Sequence, residues 1–328
     1  MNAVIAVDVV GLGKTYDGFT AIRDISFSVQ KGEIFGLLGP NGAGKSTTLR
    51  ILITTLRPTT GRATIFGHDV IREATTVRRQ IGYVPQERAI DRFLTGREHL
   101  ELLGALYHLP KSVLKQRISE LLKLVELDQH ADRVAKTYSG GMKRKLDIAC
   151  GLLPNPSVLF LDEPTLGLDV QSRLTIWEYV KRLRDQGMTI VMTTNYLDEA
   201  DQLCDRLAII DHGQIRIIGS PQELKAGLGG DGLTVTLEHP TPEMLERLEH
   251  EIRSLSCVRS VHARSQGVHV RIDAPEKALV AIMEAASRIG GRIASVEYHR
   301  PRLDDVFMAY TGHPLEQPDP VSSGSSSL

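Results

Sequence analysis

The stretch GPNGAGKS at residues 39–46 has the residue types and spacing needed to hold a phosphate chain. It fits the pattern G-x-x-x-x-G-K-[ST], in which the glycines let successive backbone N–H groups wrap around phosphate oxygens. Lys45 would reach the β- and γ-phosphates, and the Ser46 hydroxyl would bind Mg²⁺. A buried-strand pattern at 34–38 precedes the stretch and a helix pattern follows it, which is the context that a nucleotide-binding loop requires.

Two adjacent carboxylates follow a second apolar run, VLFL at residues 158–161. Asp162 is placed to hold Mg²⁺ through water, as the second acidic part of such sites does. Glu163, one residue further on, is placed to activate an attacking water. Two acids after a strand usually form a solvated turn, but beside a phosphate-binding loop they predict hydrolysis of a nucleoside triphosphate.

A third motif, YSGGMKRK at residues 138–145, places a serine and two glycines at a helix start. Such a helix end binds anions, although alone it is equally explained as a helix cap. We expect the basic run that follows, Lys143 to Lys145, to lie on a solvated helix face. Trp177 is expected in the core.

The elements that must position these motifs are predicted from hydrophobic patterning. Residues 1–30 alternate between polar and apolar positions, which predicts half-exposed antiparallel strands. Residues 87–153 show helical patterns alone and predict an inserted helical subdomain. Continuously apolar runs separated by helical stretches predict an α/β core with a parallel sheet, its strands at 34–38, 158–161, 189–192 and 207–210.

A second, smaller domain is expected beyond a glycine-rich stretch. The element order βαββαβ between residues 233 and 298 predicts a small α+β domain with a ferredoxin-like fold. The predicted boundaries are a first domain at 1–226, a linker at 227–232, a C-terminal domain at 233–312 and a disordered tail at 313–328.

Composition restricts the class of protein. A chain of 328 residues with 41% hydrophobic and 24% charged residues is long enough for about two domains and is not of the disordered type. The formal net charge of −1 argues against a nucleic-acid binder. Three scattered cysteines predict free thiols in a reducing compartment. The sequence shows neither a signal peptide nor an apolar run of about 18 residues, so we expect a cytoplasmic protein without its own membrane span.

Several of these motifs, in this order, resemble the ATP-binding subunits of ABC transporters over residues 4–220. The resemblance implies an ABC-type P-loop ATPase that binds ATP and Mg²⁺. It makes residues 39–47 the Walker A motif, 139–142 the ABC signature and 167–169 the D-loop. Met142 stands in the signature where glutamine is commonest.

Roles for individual residues follow from the same resemblance. Tyr16 is expected to stack on adenine, and Gln86 to touch Mg²⁺ and sense the membrane partner. The implied metal ligands are Ser46, Gln86 and Asp162, and the implied catalytic residues are Glu163 and Asn195. The implied nucleotide-binding residues are Tyr16, Gly39, Pro40, Asn41, Gly42, Ala43, Gly44, Lys45, Ser46, Thr47, Ser139, Gly140, Gly141 and Asp169.

A finer resemblance is to the daunorubicin-resistance (DrrA-type) branch of drug exporters. It is carried by LTGREHL at 94–100, the SGGM signature and PRLDDVF at 301–307, and that branch also has a small C-terminal domain. The family's switch histidine is replaced by Asn195, whereas members of this branch often carry another amide, glutamine, there. Asn195 is expected to act as a neutral sensor of the γ-phosphate, because an amide donates N–H but does not carry a proton.

The leading functional hypothesis is a homodimeric transport ATPase that drives efflux of drugs or other hydrophobic compounds. It would act through a separately encoded permease, at the cytoplasmic face of the cell membrane. One alternative is the ATPase of a lipid or polysaccharide exporter. The other is a soluble ABC switch protein of DNA repair or translation, which the single cassette and the short spacing between Lys45 and Ser139 disfavour.

Overall fold

The computed structural model describes residues 4–87, 89–228, 231–264, 266–272 and 275–315. These residues form two compact units, the first running to Pro221 and including Leu315, the second spanning Gln222–Pro314. Each unit has its own buried apolar core. Beyond Leu315, the tail predicted at 313–328 lies outside the described residues.

The first unit opens with a four-stranded antiparallel sheet, as the alternating pattern of residues 1–30 predicts. Its strands are β1 (Ile5–Tyr16), β2 (Phe19–Gln30), β4 (Thr60–Ile65) and β5 (His68–Asp69), in the order β2-β1-β4-β5. A two-residue turn joins β1 to β2, with Asp17 and Gly18 at φ 36° and 89°. Positive φ at both positions matches the right-handed twist of the strands, and Asp-Gly is a preferred pair for such a turn.

The predicted parallel sheet has six strands. They are β3 (Ile34–Leu38), β6 (Ile81–Val84), β7 (Val158–Asp162), β8 (Thr189–Thr194), β9 (Arg206–Asp211) and β10 (Gln214–Gly219), in the order β10-β9-β3-β8-β7-β6. Pairing is parallel from β9 to β6, and β10 is an antiparallel edge strand. The carboxyl ends of β3, β8, β7 and β6 therefore follow one another along one edge, where sheets of this kind bind ligands.

Helices cover the sheet and form the predicted insertion. They are α1 (Lys45–Leu52), α2 (Ala74–Gln80), α3 (Gly96–Leu106), α4 (Lys111–Leu124), α5 (Gly140–Leu152), α6 (Val170–Asp185) and α7 (Leu197–Leu203). The next helix, α8 (Pro221–Gly227), belongs to the second unit from Gln222 onward. The inserted subdomain contains α3 to α5, and Thr95 and Glu98 form a capping box at the start of α3. Among the residues described, no helix combines the length and the apolar character needed to cross a bilayer.

The second unit contains the predicted order βαββαβ, followed by one helix that the sequence pattern did not predict. After α8 it comprises β11 (Asp231–Leu237), α9 (Pro242–Arg253), β12 (Val258–Arg264), β13 (Gly267–Ile272), α10 (Pro275–Arg288), β14 (Ile293–His299) and α11 (Leu303–Thr311). The strand order β12-β13-β11-β14, antiparallel throughout, is that of a ferredoxin-like sheet. The predicted fold class is confirmed in both units.

Candidate functional site

The loop at residues 39–46 connects β3 to α1 and passes close to neighbouring backbone. A Cβ on Gly39 would come within 2.1 Å of the Ile210 carbonyl oxygen, so no larger residue fits there. Gly44, at φ 103°, caps the start of α1 in a left-handed conformation that favours glycine. The loop thus leads directly into a helix N-terminus, where free N–H groups and the helix dipole favour an anion.

Lys45 is a buried cation at the mouth of this loop, with 4% of its surface exposed. Its Nζ donates hydrogen bonds to the carbonyl oxygens of Gly39 (2.7 Å) and Pro40 (3.1 Å) and lies 3.5 Å from Oε1 of Glu163. Burial lowers the pKa of Lys45, and the Glu163 carboxylate opposes that shift. The ammonium is therefore held where phosphate oxygens would enter.

Asp162 ends β7 and accepts two hydroxyl hydrogen bonds on Oδ1. Ser46 donates from 3.3 Å, and Thr193, at the end of the neighbouring strand β8, donates from 2.5 Å. The Thr193 hydroxyl also accepts a hydrogen bond from the backbone N–H of Glu163. Hydroxyl, carboxylate and amide oxygens from Ser46, Asp162 and Gln86 are the hard ligands that Mg²⁺ takes, so this donor set fits that ion.

Glu163 combines burial with an unusual backbone. Its side chain is 5% exposed, and its φ of 44° lies in the left-handed region, which non-glycine residues rarely adopt outside functional sites and tight turns. Gln86 donates from Nε2 to Oε2 of Glu163 at 3.2 Å. Burial raises the pKa of Glu163, Lys45 opposes the shift and Asp162 adds to it. A carboxyl with a raised pKa is suited to accept a proton near neutral pH.

These residues meet in a cavity of about 460 Å³. The predicted residues that line it are Tyr16, Pro40, Asn41, Gly42, Gly44, Lys45, Ser46, Thr47, Gln86 and Glu163. Asp162 contacts the lining residue Ser46, whereas Gly39 and Ala43 belong to the same loop but do not line the cavity. Each of these residues lies at the carboxyl end of a strand, in the loop after it or in the first turn of α1.

Ser139, Gly140, Gly141 and Asp169 are not among the residues that line this cavity. Ser139 and Gly141 line a separate cavity of about 220 Å³. The Ser139 hydroxyl caps α5 by accepting from the Met142 N–H, and Asp169 caps α6 through Ser172. Within one chain, the predicted phosphate loop and the predicted signature therefore belong to different pockets.

Asn195 lies directly after β8, next to the phosphate loop. The Gly39 N–H donates to the carbonyl oxygen of Thr194, the preceding residue. Asn195 is 2% exposed, and its Oδ1 has no hydrogen-bond partner among the described residues. A buried amide oxygen left unpaired costs about 1–3 kcal/mol, so this position favours a ligand or water that donates to it.

The sequence did not predict three residues of the site: Phe19 and Ala21, which line the cavity, and Thr193, which donates to Asp162. Phe19, 66% exposed, lines the cavity beside Tyr16, its partner across the first hairpin. The Asp17-Gly18 turn was the available signal, because it places these two aromatic residues side by side. Thr193 carried no signal of its own, since its role depends on the pairing of β7 with β8.

The prediction for residues 143–145 is wrong for Arg144, which is 3% exposed. Its guanidinium points into the protein and donates to main-chain carbonyls near the site. The basic run looked uniform in sequence, but on a helix successive residues point about 100° apart, so one of three faces the core. Trp177 is buried as expected, and its indole N–H donates to Glu199.

Comparisons with known proteins cover nearly the whole chain. Residues 22–166 fit the family model described as "ABC transporter", and residues 219–311 fit that of the "ATP-binding protein DrrA1-3-like, C-terminal domain". The chain is 43% identical to the daunorubicin/doxorubicin resistance ATP-binding protein DrrA of Streptomyces peucetius, over 95% of this chain and 94% of the relative. It is 41% identical to the doxorubicin resistance ATP-binding protein DrrA of Mycobacterium tuberculosis H37Rv, over 99% of both chains.

Solved structures with the same fold include the ATP-binding subunit of an ABC transporter. That chain is 31% identical, with a TM-score of 0.61 over 68% of this chain and 93% of its own. A dimeric ATP-binding cassette in a post-hydrolysis state, bound to ADP and Pi, is 28% identical. Its TM-score is 0.59, over 65% of this chain and 98% of its own.

Proposed function

The chain belongs to the DrrA-type branch of the ATP-binding subunits of ABC transporters, and from that premise we propose that it powers efflux of drugs or other hydrophobic compounds. It is an ATP-hydrolysing transport ATPase, as its sequence motifs predict. The observation that carries ATP hydrolysis is the cavity at the phosphate-binding loop, where Lys45 of the loop meets Glu163 and Glu163 meets Gln86. The names of the relatives, which are drug-resistance proteins, support the cargo class.

In the proposed reaction, water attacks the γ-phosphorus of ATP and ADP leaves. Glu163 accepts the proton of that water, and burial, which raises its pKa, makes it a stronger base than an exposed glutamate. Lys45 neutralises charge on the β- and γ-phosphates, while Tyr16 and Phe19 offer aromatic faces to the adenine. Ser46, Asp162 and Gln86 would hold Mg²⁺, which supplies further charge neutralisation when bound.

We assign Ser139, Gly140, Gly141 and Asp169 to the nucleotide of a second copy of the chain. In this arrangement two copies enclose two ATP molecules head to tail, and each site joins the phosphate loop of one chain to the signature of the other. The separate pocket of Ser139 and Gly141 supports this assignment, because the signature does not line the cavity of its own chain. The dimer would act on a separate permease at the cytoplasmic face of the membrane.

The domain boundaries remain part of the proposal. We place the ATP-binding domain at residues 1–226, the linker at 227–232 and the C-terminal domain at 233–312. The two separate cores support two domains. The mixed α/β order of the second unit favours drug export over polysaccharide export, whose ATPases tend to append a β-sandwich.

Transport is tested in inside-out membrane vesicles that contain this chain and a co-expressed drug-export permease. We expect ATP-dependent accumulation of doxorubicin, and none when the chain carries Lys45→Ala. Equal accumulation with the two chains, in vesicles that contain equal amounts of each, would contradict the proposal. Accumulation of a lipid probe in place of doxorubicin would favour the alternative that the chain is the ATPase of a lipid exporter.

A separate prediction concerns Asn195, which we assign as a neutral γ-phosphate sensor. Its N–H would donate to that phosphate, and its unpaired Oδ1 would accept from the attacking water. Removing a comparable preorganised group costs roughly 10²–10³ in rate, so Asn195→Ala should be impaired to that extent. Asn195→His restores a donor and should stay within about tenfold of wild type.

The rates of the three proteins are compared across pH 6–8. Asn195→His should gain a titration near the ordinary histidine pKa of about 6.5, which the wild type lacks. An alanine variant that matches the wild type at every pH would eliminate the sensor role.

A further inference from the structure

Arg144, on the helix that begins at the signature, holds together main-chain segments on which the catalytic site depends. Its side chain is buried and donates to four carbonyl oxygens through three nitrogen atoms. Nε donates to Pro164 (2.6 Å) and Nη1 to Pro85 (2.6 Å). Nη2 donates to Asp162 (3.1 Å) and Glu163 (3.3 Å).

The carbonyls that Arg144 binds lie at the ends of two neighbouring strands. Pro85 follows β6 and immediately precedes Gln86, while Asp162 to Pro164 end β7 and carry the proposed base. Pro85, Glu163 and Pro164 lie beyond the last ladder pairs, and Asp162 is the last residue of β7. Carbonyls at and beyond the end of a strand need partners from elsewhere in the buried interior. A guanidinium offers five N–H donors in a fixed plane and can serve all four at once.

The same contacts explain how an unfavourable backbone persists at Glu163. Its φ of 44° costs free energy in a residue other than glycine, and such a conformation lasts only where its surroundings hold it. Arg144 binds the carbonyl oxygens of Glu163 and of both its chain neighbours. Asp147, one turn further along α5, lies 3.9 Å from Nη1 and provides a negative charge within the protein.

We propose that Arg144 is a positioning residue for hydrolysis. It fixes Gln86 and Glu163 relative to each other and ties both to α5. This inference rests on the proposed role of Glu163 as the base, and it is independent of the cargo and of the permease. Ser139, which we assign to the partner's ATP, caps the start of α5. A shift of that helix would therefore be passed through Arg144 to the chain's own base.

Lysine at position 144 keeps the positive charge but not the geometry. An ammonium donates from a single nitrogen, whereas Arg144 reaches two chain segments from three nitrogens. Misplacement of a reacting group by about 1 Å can lower a rate by about 10²-fold. We therefore expect Arg144→Lys and Arg144→Gln to lower kcat at least about tenfold, while the KM for ATP changes less than about threefold.

A matched control is available at the carboxyl end of α5, where an arginine of the neighbouring helix α4 binds a main-chain carbonyl. Arg117 on α4 donates from Nη2 to the carbonyl oxygen of Leu152 (2.9 Å) and to Oδ1 of Asn155 (3.2 Å). Arg117→Lys removes an arginine-to-carbonyl link to α5 that is remote from the catalytic cavity. Its kcat should stay within about twofold of wild type, even where its melting temperature falls as much as that of Arg144→Lys.

The experiment measures steady-state ATPase of the purified full chain for wild type, Arg144→Lys, Arg144→Gln, Arg117→Lys and Glu163→Gln, with melting temperatures for each. It includes Gln86→Ala and the double variant Arg144→Lys/Gln86→Ala. If Arg144 acts through Gln86 and Glu163, the loss in the double variant is smaller than the product of the single losses.

The outcomes separate the positioning role of Arg144 from the base role of Glu163. Normal kcat in folded Arg144→Lys and Arg144→Gln, together with an inactive Glu163→Gln, overturns the positioning role alone. The positioning role is also overturned if the kcat loss of the double variant equals the product of the two single losses. It is overturned as well if Arg117→Lys loses as much kcat as Arg144→Lys. Wild-type kcat in Glu163→Gln removes the proposed base and the role of Arg144 with it.

Discussion

Glu163→Gln is expected to bind ATP but to hydrolyse it roughly 10²–10⁴-fold more slowly than wild type. An amide cannot accept the proton of the attacking water, and general base catalysis contributes roughly 10²–10⁴ to such rates. The substitution keeps the size of the side chain and its position next to Gln86 and Lys45. ATP should therefore remain uncleaved, and the variant should accumulate as an ATP-bound dimer on a sizing column.

The pH dependence of the wild-type ATPase rate gives a second test of Glu163 as the base. Glu163 acts as a base only when it is deprotonated, and burial raises its pKa above the ordinary glutamate value. The ATPase rate should therefore fall with acidification at a pH above the range where exposed glutamates titrate. In Glu163→Gln this limb should vanish from the residual rate.

A matched carboxylate-to-amide control is Glu120→Gln on α4, where the side chain is 52% exposed and contacts Gln116 and Arg117. That variant should keep the wild-type rate and pH profile. A monomeric Glu163→Gln that hydrolyses ATP normally would remove Glu163 from the base role.

The phosphate loop and the acidic pair could be predicted because each lies in one short stretch after a buried strand. Residues 39–46 carry their own turn, helix start and cation, and parallel pairing brings the ends of β3 and β7 to the same edge. A contiguous pattern of this kind needs no knowledge of distant contacts. The same holds for the second unit, where alternation and helix starts predict the order βαββαβ.

The rest of the site depends on contacts between residues far apart in the chain. Arg144 meets the carbonyl oxygen of Pro85 across 59 positions, and Thr193 meets Asp162 across 31. A basic run gives no sign of which member points inward, and a threonine at the end of an apolar strand has many ordinary roles. Such roles become visible only when the strand order and the helix rotation are known.

Lys45→Ala is expected to lower kcat/KM for ATP by roughly 10³, which corresponds to about 4 kcal/mol at 1.4 kcal/mol per factor of ten. The substitution removes the cation that faces the phosphates in a buried cavity, where water compensates for it poorly. It also leaves Glu163 without its ion-pair partner at 3.5 Å, so the pKa of Glu163 should rise further. Melting curves should therefore be recorded beside the kinetics, with and without MgATP.

Stabilisation by MgATP shows whether Lys45→Ala has lost the binding site or has failed to fold. Free MgATP at about 100 times its Kd adds about 2.7 kcal/mol of stability to a protein that binds it only when folded. Wild type should show that rise in melting temperature, Lys45→Ala should show little of it, and EDTA should abolish wild-type turnover. Lys111→Ala, at an exposed position at the start of α4, should behave as wild type. Wild-type turnover in Lys45→Ala, or turnover that EDTA leaves unchanged, would contradict the phosphate-loop assignment, because the chemistry of this site depends on cations at the β- and γ-phosphates.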